Sequence, residues 1–187
     1  MDDISLQTLF IALFFLFLLS AFFSSSETSM MSLNRYRLRH LAKDGQRSAI
    51  LVEKLLSKPD KLLGLILFGN NLVNIAAASV ATVIGLKLFG EPGIAIATMT
   101  LTVMVLIFAE VAPKTIAALY PERVAFPASY VLIVLDKILY PLIWLINRLA
   151  NGLLGLFGYN PQNTDSQPLT REELRTIVLE AGIMIPL

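Results

Sequence analysis

The stretch that decides the fold is MTLTVMVLIFAEVAP, residues 99–113. It lies in an apolar run long enough to cross a bilayer. A carboxylate at membrane depth, here that of Glu110, costs about 2.5 kcal/mol or more and is retained mainly for function. Pro113 cannot donate to the carbonyl of Ala109, so the helix should bulge or kink there, and lipid offers that oxygen no other partner. We therefore predict a cation site formed by Glu110 and a freed backbone oxygen.

The composition is typical of an integral membrane protein. Of the 187 residues, 56% are hydrophobic and 16% are charged, whereas soluble domains carry about 25% charged residues. The net charge of +1 does not favour nucleic acid as a partner. The absence of cysteine excludes disulfides, thiolate metal sites and thiol catalysis. The one histidine, His40, lies in a basic polar stretch, and we interpret it as a surface residue rather than a zinc ligand.

Apolar segments predict the fold class, an all-α integral membrane protein. Three spans are predicted at about residues 6–28, 62–89 and 94–119. No basic residue precedes the first span, so we interpret it as a retained helix rather than a cleaved signal peptide. Basic and apolar residues alternate over residues 34–57, which predicts amphipathic juxtamembrane helices at the membrane surface.

The basic stretch also predicts the orientation. The positive-inside rule places residues 34–61 in the cytoplasm, which puts the N-terminus outside and the C-terminus in the cytoplasm. The membrane would be a plasma membrane of the bacterial inner-membrane type. The apolar segment at residues 124–157 is a candidate fourth span, but Asp136 and Lys137 lie near its middle and Pro141 should break it. We therefore predict a second juxtamembrane helix along the inner interface.

The last residues predict a change from membrane to soluble structure. Residues 1–159 form the predicted transmembrane domain, and residues 160–187 begin with a polar linker. Thr170 and Glu173 then form the capping box of a soluble helix. A capped helix with nothing to pack against predicts that a cytosolic regulatory domain follows.

Polar side chains on the three predicted spans lie at similar depths. Ser20 and Ser24 share one face of the first span, and Asn70 and Asn74 share one face of the second. With a rise of about 1.5 Å per residue, they and Glu110 lie roughly 6–18 Å from the cytoplasmic ends of their helices. Their oxygens converge if the helices pack together. All-oxygen ligation selects hard cations, and a single carboxylate among neutral oxygens suits Na⁺ or a partly hydrated Mg²⁺.

Each polar group also has a structural interpretation. Serines can bond the backbone of their own helix, asparagines can join helices, and Glu110 can pair with Lys114 one turn later. We favour a shared site because all three groups lie at similar depth. An intramembrane enzyme would need a base for Ser24, and His40 lies beyond the span, so we predict that the chain is not an enzyme.

At these residues the sequence resembles the transmembrane domain of the CorC/cyclin M family of magnesium transporters. Three motifs carry the resemblance: SAFFSSSET at 20–28, FGNNLVN at 68–74 and AEVAPK at 109–114. It implies three spanning helices, a juxtamembrane belt and a homodimer embedded in membrane lipids. It also implies Mg²⁺ export, with Na⁺ as the coupling ion, and cytosolic paired CBS domains that would bind ATP beyond this segment.

The resemblance also assigns roles to individual positions. By motif position it implies two groups of residues: the Mg²⁺ ligands Ser24, Asn74 and Glu110, and the additional lining residues Ser20, Asn70, Ala109 and Pro113. A second function stays open beside transport. In that alternative, the domain is a Mg²⁺-sensing membrane anchor and dimerisation module that regulates a cytosolic domain without moving the ion.

Overall fold

The structure is a computed structural model that describes residues 5–156, and all regular secondary structure in that range is helical. The predicted all-α class is confirmed for these residues. The predicted linker and soluble helix at 160–187 lie outside the described residues. In chain order the elements are α1 (Leu6–Ser32), α2 (Arg35–Lys43), α3 (Arg47–Leu56), α4 (Pro59–Phe89), α5 (Pro92–Met104), a π-helical segment (Val105–Val111), α6 (Ala112–Leu119) and α7 (Pro121–Leu156).

Within residues 5–156, four helices are long and apolar enough to cross a membrane, one more than the sequence predicts. Three of them cover the predicted spans: α1, α4 and the continuous helix Pro92–Leu119, which comprises α5, the π-helical segment and α6. The fourth is Pro121–Leu142, the first part of α7. Pro141 was expected to break this segment, and that expectation is wrong, because α7 continues through it to Leu156.

Local sequence signals explain where the helices begin and end. The side chain of Ser5 caps α1 by accepting from the amide of Thr8, and Asn34 caps α2 in the same way. Gly90 ends α4 with a φ of 69°, a left-handed value that glycine adopts without strain. Gly85 and Gly93 then face each other so closely that a Cβ on either would overlap the backbone of the other. These glycines allow α4 and α5 to form a tight antiparallel hairpin.

The hydrophobic core lies at the end of the bundle that carries the basic helices. Side chains from α1, α2, α3, α4 and the start of α7 meet there. Its largest fully buried side chains are Met30, Val52, Leu62, Leu65, Ile66 and Leu132. The amphipathic helices α2 and α3, in the stretch predicted to lie at the membrane surface, are therefore packed onto the spans.

An ion pair attaches α7 to the start of α4. The Nζ of Lys61 lies 2.9 Å from Oδ2 of Asp136 and 4.5 Å from the ring centroid of Tyr140. The pair compensates Asp136, one of the two charged residues that argued against a fourth span. The chain divides into two compact units, residues 1–143 and 144–187. In the described part of the second unit, the guanidinium of Arg148 lies 5.2 Å from the ring centroid of Trp144.

Candidate cation site

Glu110 lies in the π-helical segment between α5 and α6. The amide of Ala112 donates to the carbonyl of Ile107, five residues back instead of four. Such π-bulges occur frequently at functional sites because they interrupt the regular backbone ladder. The bulge that Pro113 predicts is therefore confirmed, and it includes the membrane-embedded carboxylate.

The bulge changes which carbonyl Pro113 leaves without a donor. In an α register, the carbonyl that loses its amide donor is that of Ala109, four residues before the proline. In a π register, it is the carbonyl of Phe108, five residues before. The sequence indicated only Ala109, because the π register was not predicted. Ala109 is fully buried. Backbone oxygen next to Glu110 is thus less regularly paired than in a continuous α-helix.

Ser20, Asn70 and Asn74 form a polar cluster between α1 and α4. The hydroxyl of Ser20 donates to Oδ1 of Asn74 at 2.7 Å and lies 3.4 Å from Oδ1 of Asn70. Ser20 is buried, and both asparagines are half-buried. The structure therefore brings together three of the residues predicted to line the site, and it places them at one level of the helix pair.

Ser24 lies one turn after Ser20, in a run of hydroxyl-bearing side chains on α1. It is fully buried, and within residues 5–156 its Oγ has no hydrogen-bond partner, which is also true of the buried Oγ of Ser26. By contrast, the hydroxyl of Ser25 donates to the carbonyl of Phe22 at 3.1 Å, and that of Ser29 donates to the carbonyl of Ser26. An unpaired buried hydroxyl costs about 1–3 kcal/mol, so it needs an explanation. A cation that completes the site would supply one.

Glu110 is half-buried, and no basic side chain in the described residues pairs with it. Lys114 instead lies 3.8 Å from the carboxylate of Glu27, measured from Nζ to Oε2. The alternative in which Glu110 pairs with Lys114 is therefore wrong. The carboxylate of Glu110 is left available for another cation.

Helix α1 connects the elements that carry the predicted ligands. It packs against α4, which carries Asn74, and against the π segment, which carries Glu110. Ser24 lies on α1 itself. No hydrogen bond within residues 5–156 joins Glu110 to Ser24 or Asn74. The three predicted ligands thus belong to adjoining helices but are not linked to one another directly.

Comparison with known proteins shows the family to which the chain belongs. A family model described as the cyclin M transmembrane N-terminal domain matches residues 10–182. The chain belongs to this family. It is 56% identical over 167 residues to the UPF0053 inner membrane protein YfjD of Escherichia coli (strain K12), covering 89% of this chain and 39% of that protein. It is 50% identical over 186 residues to a UPF0053 protein of Haemophilus influenzae, covering 100% of this chain and 44% of that protein.

A more distant relative comes from a plant. A chloroplastic DUF21 domain-containing protein of Arabidopsis thaliana is 33% identical over 166 residues, which cover 88% of this chain and 25% of that protein. The chain spans about two-fifths of the length of the two bacterial relatives. The resemblance seen in the three motifs is confirmed at the level of the family.

One contact in this cyclin M domain was not predicted from its motifs. A Cβ on Gly69 would lie 2.5 Å from Cε1 and Cζ of Phe23. Phe23 directly precedes Ser24, and Gly69 directly precedes Asn70, so the contact sets the spacing of α1 and α4 at the polar cluster. The glycine before the two asparagines was the available signal, but its role depends on which helix faces it.

The donor atoms of the candidate site are all oxygen. They comprise hydroxyl, amide, carboxylate and backbone carbonyl groups, which suit hard cations rather than soft metals. Within residues 5–156, no group of three or more His, Cys, Asp or Glu side chains lies close enough together to hold a metal ion. A cation bound here would therefore rely on one carboxylate, neutral oxygens and its own water molecules.

Proposed function

We propose that this cyclin M transmembrane domain transports Mg²⁺. The observation that carries the proposal is the buried, unpartnered hydroxyl of Ser24, which, unlike that of Ser26, lies on the same face of α1 as Ser20. It lies on the helix that contacts both α4, with Asn74, and the π segment, with Glu110. Mg²⁺ is bound in proteins by few carboxylates and retains several waters, which fits a site with one carboxylate.

We further propose that transport is export coupled to Na⁺. Moving a divalent cation out against 100 mV costs about 4.6 kcal/mol, twice the value for a single charge, so export needs a driving force. An inward Na⁺ gradient would supply it. The bacterial relative from Escherichia coli is described as an inner membrane protein, and we propose the same membrane here, with the N-terminus outside and the C-terminus in the cytoplasm. A homodimer would help to enclose a pathway that a few helices cannot readily enclose alone.

Measuring Mg²⁺ flux in a variant of Glu110 tests the proposal. Purified protein in liposomes should move Mg²⁺ when a Na⁺ gradient is applied, as followed with a Mg²⁺-sensitive dye. We expect Glu110→Gln to abolish most of this flux, because the substitution removes the carboxylate and keeps the shape of the side chain. Glu91→Gln is the matched control, since Glu91 is exposed in the turn between α4 and α5. Equal flux in both variants would exclude Glu110 from the pathway.

Ser24→Ala tests the neutral part of the site. Removing a hydroxyl that has no partner should leave the stability of the ligand-free protein unchanged or raise it. We expect Mg²⁺ to raise the unfolding temperature of this variant less than that of the wild type, because a ligand that binds more weakly stabilises the folded state less at the same concentration. Ser25→Ala is the control, since that hydroxyl bonds its own helix. An unchanged Mg²⁺ response in Ser24→Ala would mean that the unpaired hydroxyl is not a ligand.

A second candidate is a Mg²⁺-sensing anchor and dimerisation module. It is favoured by the length of the two bacterial relatives, of which this chain spans about two-fifths, because those proteins have a larger part that such a module could regulate. The sensor would bind Mg²⁺ and dimerise but give no flux in liposomes. We propose no enzymatic activity for the segment, and ATP would act only through CBS domains outside it.

A further inference from the structure

A basic cavity lies where α3, α4 and α7 meet. Its volume is about 170 Å³. It belongs to neither the polar cluster nor the π segment. Its lining combines three lysines, one aspartate and an apolar floor: Lys54, Lys58, Lys61, Asp136, Leu62 and Ile133.

The charges in this cavity are unequally compensated. Lys61 is held by Asp136 at 2.9 Å. Lys54 and Lys58 are exposed, and neither has an ion-pair partner within residues 5–156. The cavity therefore presents two free ammonium groups beside one neutralised pair, which makes it a site for an anion.

The cavity lies at the edge of an apolar span. The helix α4 begins at Pro59 and is long and apolar enough to cross the membrane. On the other side, α3 is fixed to the bundle by buried Val52 and Leu55. Lysines on apolar surface extend their ammonium groups toward the interface. The lining thus combines cationic and apolar groups, as a phospholipid combines a charged headgroup with an acyl chain.

We propose that this cavity binds the phosphate headgroup of an anionic phospholipid. Basic pockets between membrane helices on the cytoplasmic side are known to hold such headgroups. Lys54 and Lys58 would contact the phosphate, while the half-buried Ile133 would contact the first part of the lipid chain. A bound lipid would connect α3 to α4 and α7, and so tie the juxtamembrane helices to the spans.

The local backbone favours a lipid over a free phosphate. Free phosphate is bound most readily by the amides of a helix N-terminus. Here Pro59 removes one of those amides, and Asp60 places a negative charge in the first turn of α4. Recognition therefore depends on two lysines. Salt screens their attraction for a dissolved anion, but that attraction is sufficient for a lipid that is already concentrated in the membrane.

Lipid selectivity tests the proposal. The full chain is reconstituted in phosphatidylcholine vesicles that contain spin-labelled phosphatidylglycerol or spin-labelled phosphatidylcholine, without Mg²⁺. The immobilised fraction of each label gives their relative association with the protein. We expect a preference for phosphatidylglycerol that falls about tenfold in Lys54→Gln/Lys58→Gln. The control Arg39→Gln/Lys43→Gln removes the same number of charges from exposed positions of α2 and should change the preference less than about twofold.

Three results would overturn the proposal. An equal loss in both double variants would mean diffuse surface charge, not a site. Displacement of the label by millimolar inorganic phosphate would mean a site for free anions. A Lys54→Arg/Lys58→Arg variant that folds but loses the preference would show that charge at these positions is not what matters. Retained preference in this arginine variant supports the proposal even if the glutamine variant unfolds. The assay does not depend on Mg²⁺ transport, so its failure leaves the proposed function untouched.

Discussion

Gly69→Ala tests how closely α1 and α4 approach at the candidate site. The new Cβ would lie 2.5 Å from Cε1 and Cζ of Phe23 and 3.0 Å from its Cδ1. Carbon atoms pack at about 3.5–4.0 Å, so the ring must retreat by roughly 1 Å. Phe23 is only 6% exposed, and its ring packs edge-to-face on Phe22 with the centroids 5.4 Å apart. There is little free space for that movement.

The size of the effect follows from two opposing terms. Overpacking in a buried contact costs about 1–3 kcal/mol. Replacing glycine by alanine inside a helix gains about 0.5–1 kcal/mol. Gly152→Ala isolates the second term, because a Cβ there meets nothing within 4 Å. The difference between the two variants should therefore equal the steric cost, which corresponds to about 2–12 °C in the unfolding midpoint of a chain of this size.

The assay is thermal unfolding of the full chain in detergent, with and without Mg²⁺. We expect Gly69→Ala to unfold at a lower temperature than Gly152→Ala and to respond less to Mg²⁺, because Ser24 and Asn70 adjoin the displaced residues. Adding Phe23→Leu to Gly69→Ala should recover part of the stability, as expected for residues in contact. Equal midpoints for Gly69→Ala and Gly152→Ala would refute the close contact and the reasoning built on it.

Three further predictions concern Pro113 in α6, the α4–α7 ion pair and the topology. Pro113→Ala restores an amide donor, so it should raise or preserve the stability of the ligand-free protein while weakening Mg²⁺ binding and flux. Wild-type Mg²⁺ affinity and flux in this variant would exclude backbone carbonyl oxygen as part of the site. Lys61→Met and Asp136→Leu should each lower the free energy of unfolding by about 1–3 kcal/mol, and the double variant should lose less than their sum; strict additivity would mean that the pair contributes nothing. Single cysteines at Asp3 and Thr164 should be labelled from opposite sides of the membrane, and labelling from the same side would establish an even number of crossings.

Sequence by itself determined the class of the protein and the elements that carry its polar residues. Apolar runs of sufficient length specify membrane helices because the bilayer requires every backbone group to be bonded within the segment. A carboxylate followed three residues later by a proline indicated both an unusual residue and a distorted helix, and the π segment confirms the distortion. The three motifs indicated the family, which the comparisons confirm. These features are local, so they can be read without knowing which helices are neighbours.

Only the tertiary structure decided the partners of these groups. Lys114 is one turn from Glu110 along the chain, yet it pairs with Glu27, because α1 packs against α6. Asp136 argued against a fourth membrane-length helix, but Lys61, 75 residues away in sequence, compensates it. Pro141 did not end α7, since a proline removes one bond of a helix whose other bonds and packing remain.

The same reason explains which hydroxyl groups near Ser24 are paired. Four serines and a threonine lie between residues 24 and 29, and periodicity alone cannot tell which hydroxyl will find a carbonyl and which will not. The outcome depends on the helix face, on the rotamer that packing allows and on what lies opposite, all of which are set when α1, α4 and the π segment assemble. Sequence therefore determined that oxygen-bearing residues lie at membrane depth, and packing decided that Ser20 bonds Asn74 of α4 while Ser24 and Ser26 are left without a partner in the described residues.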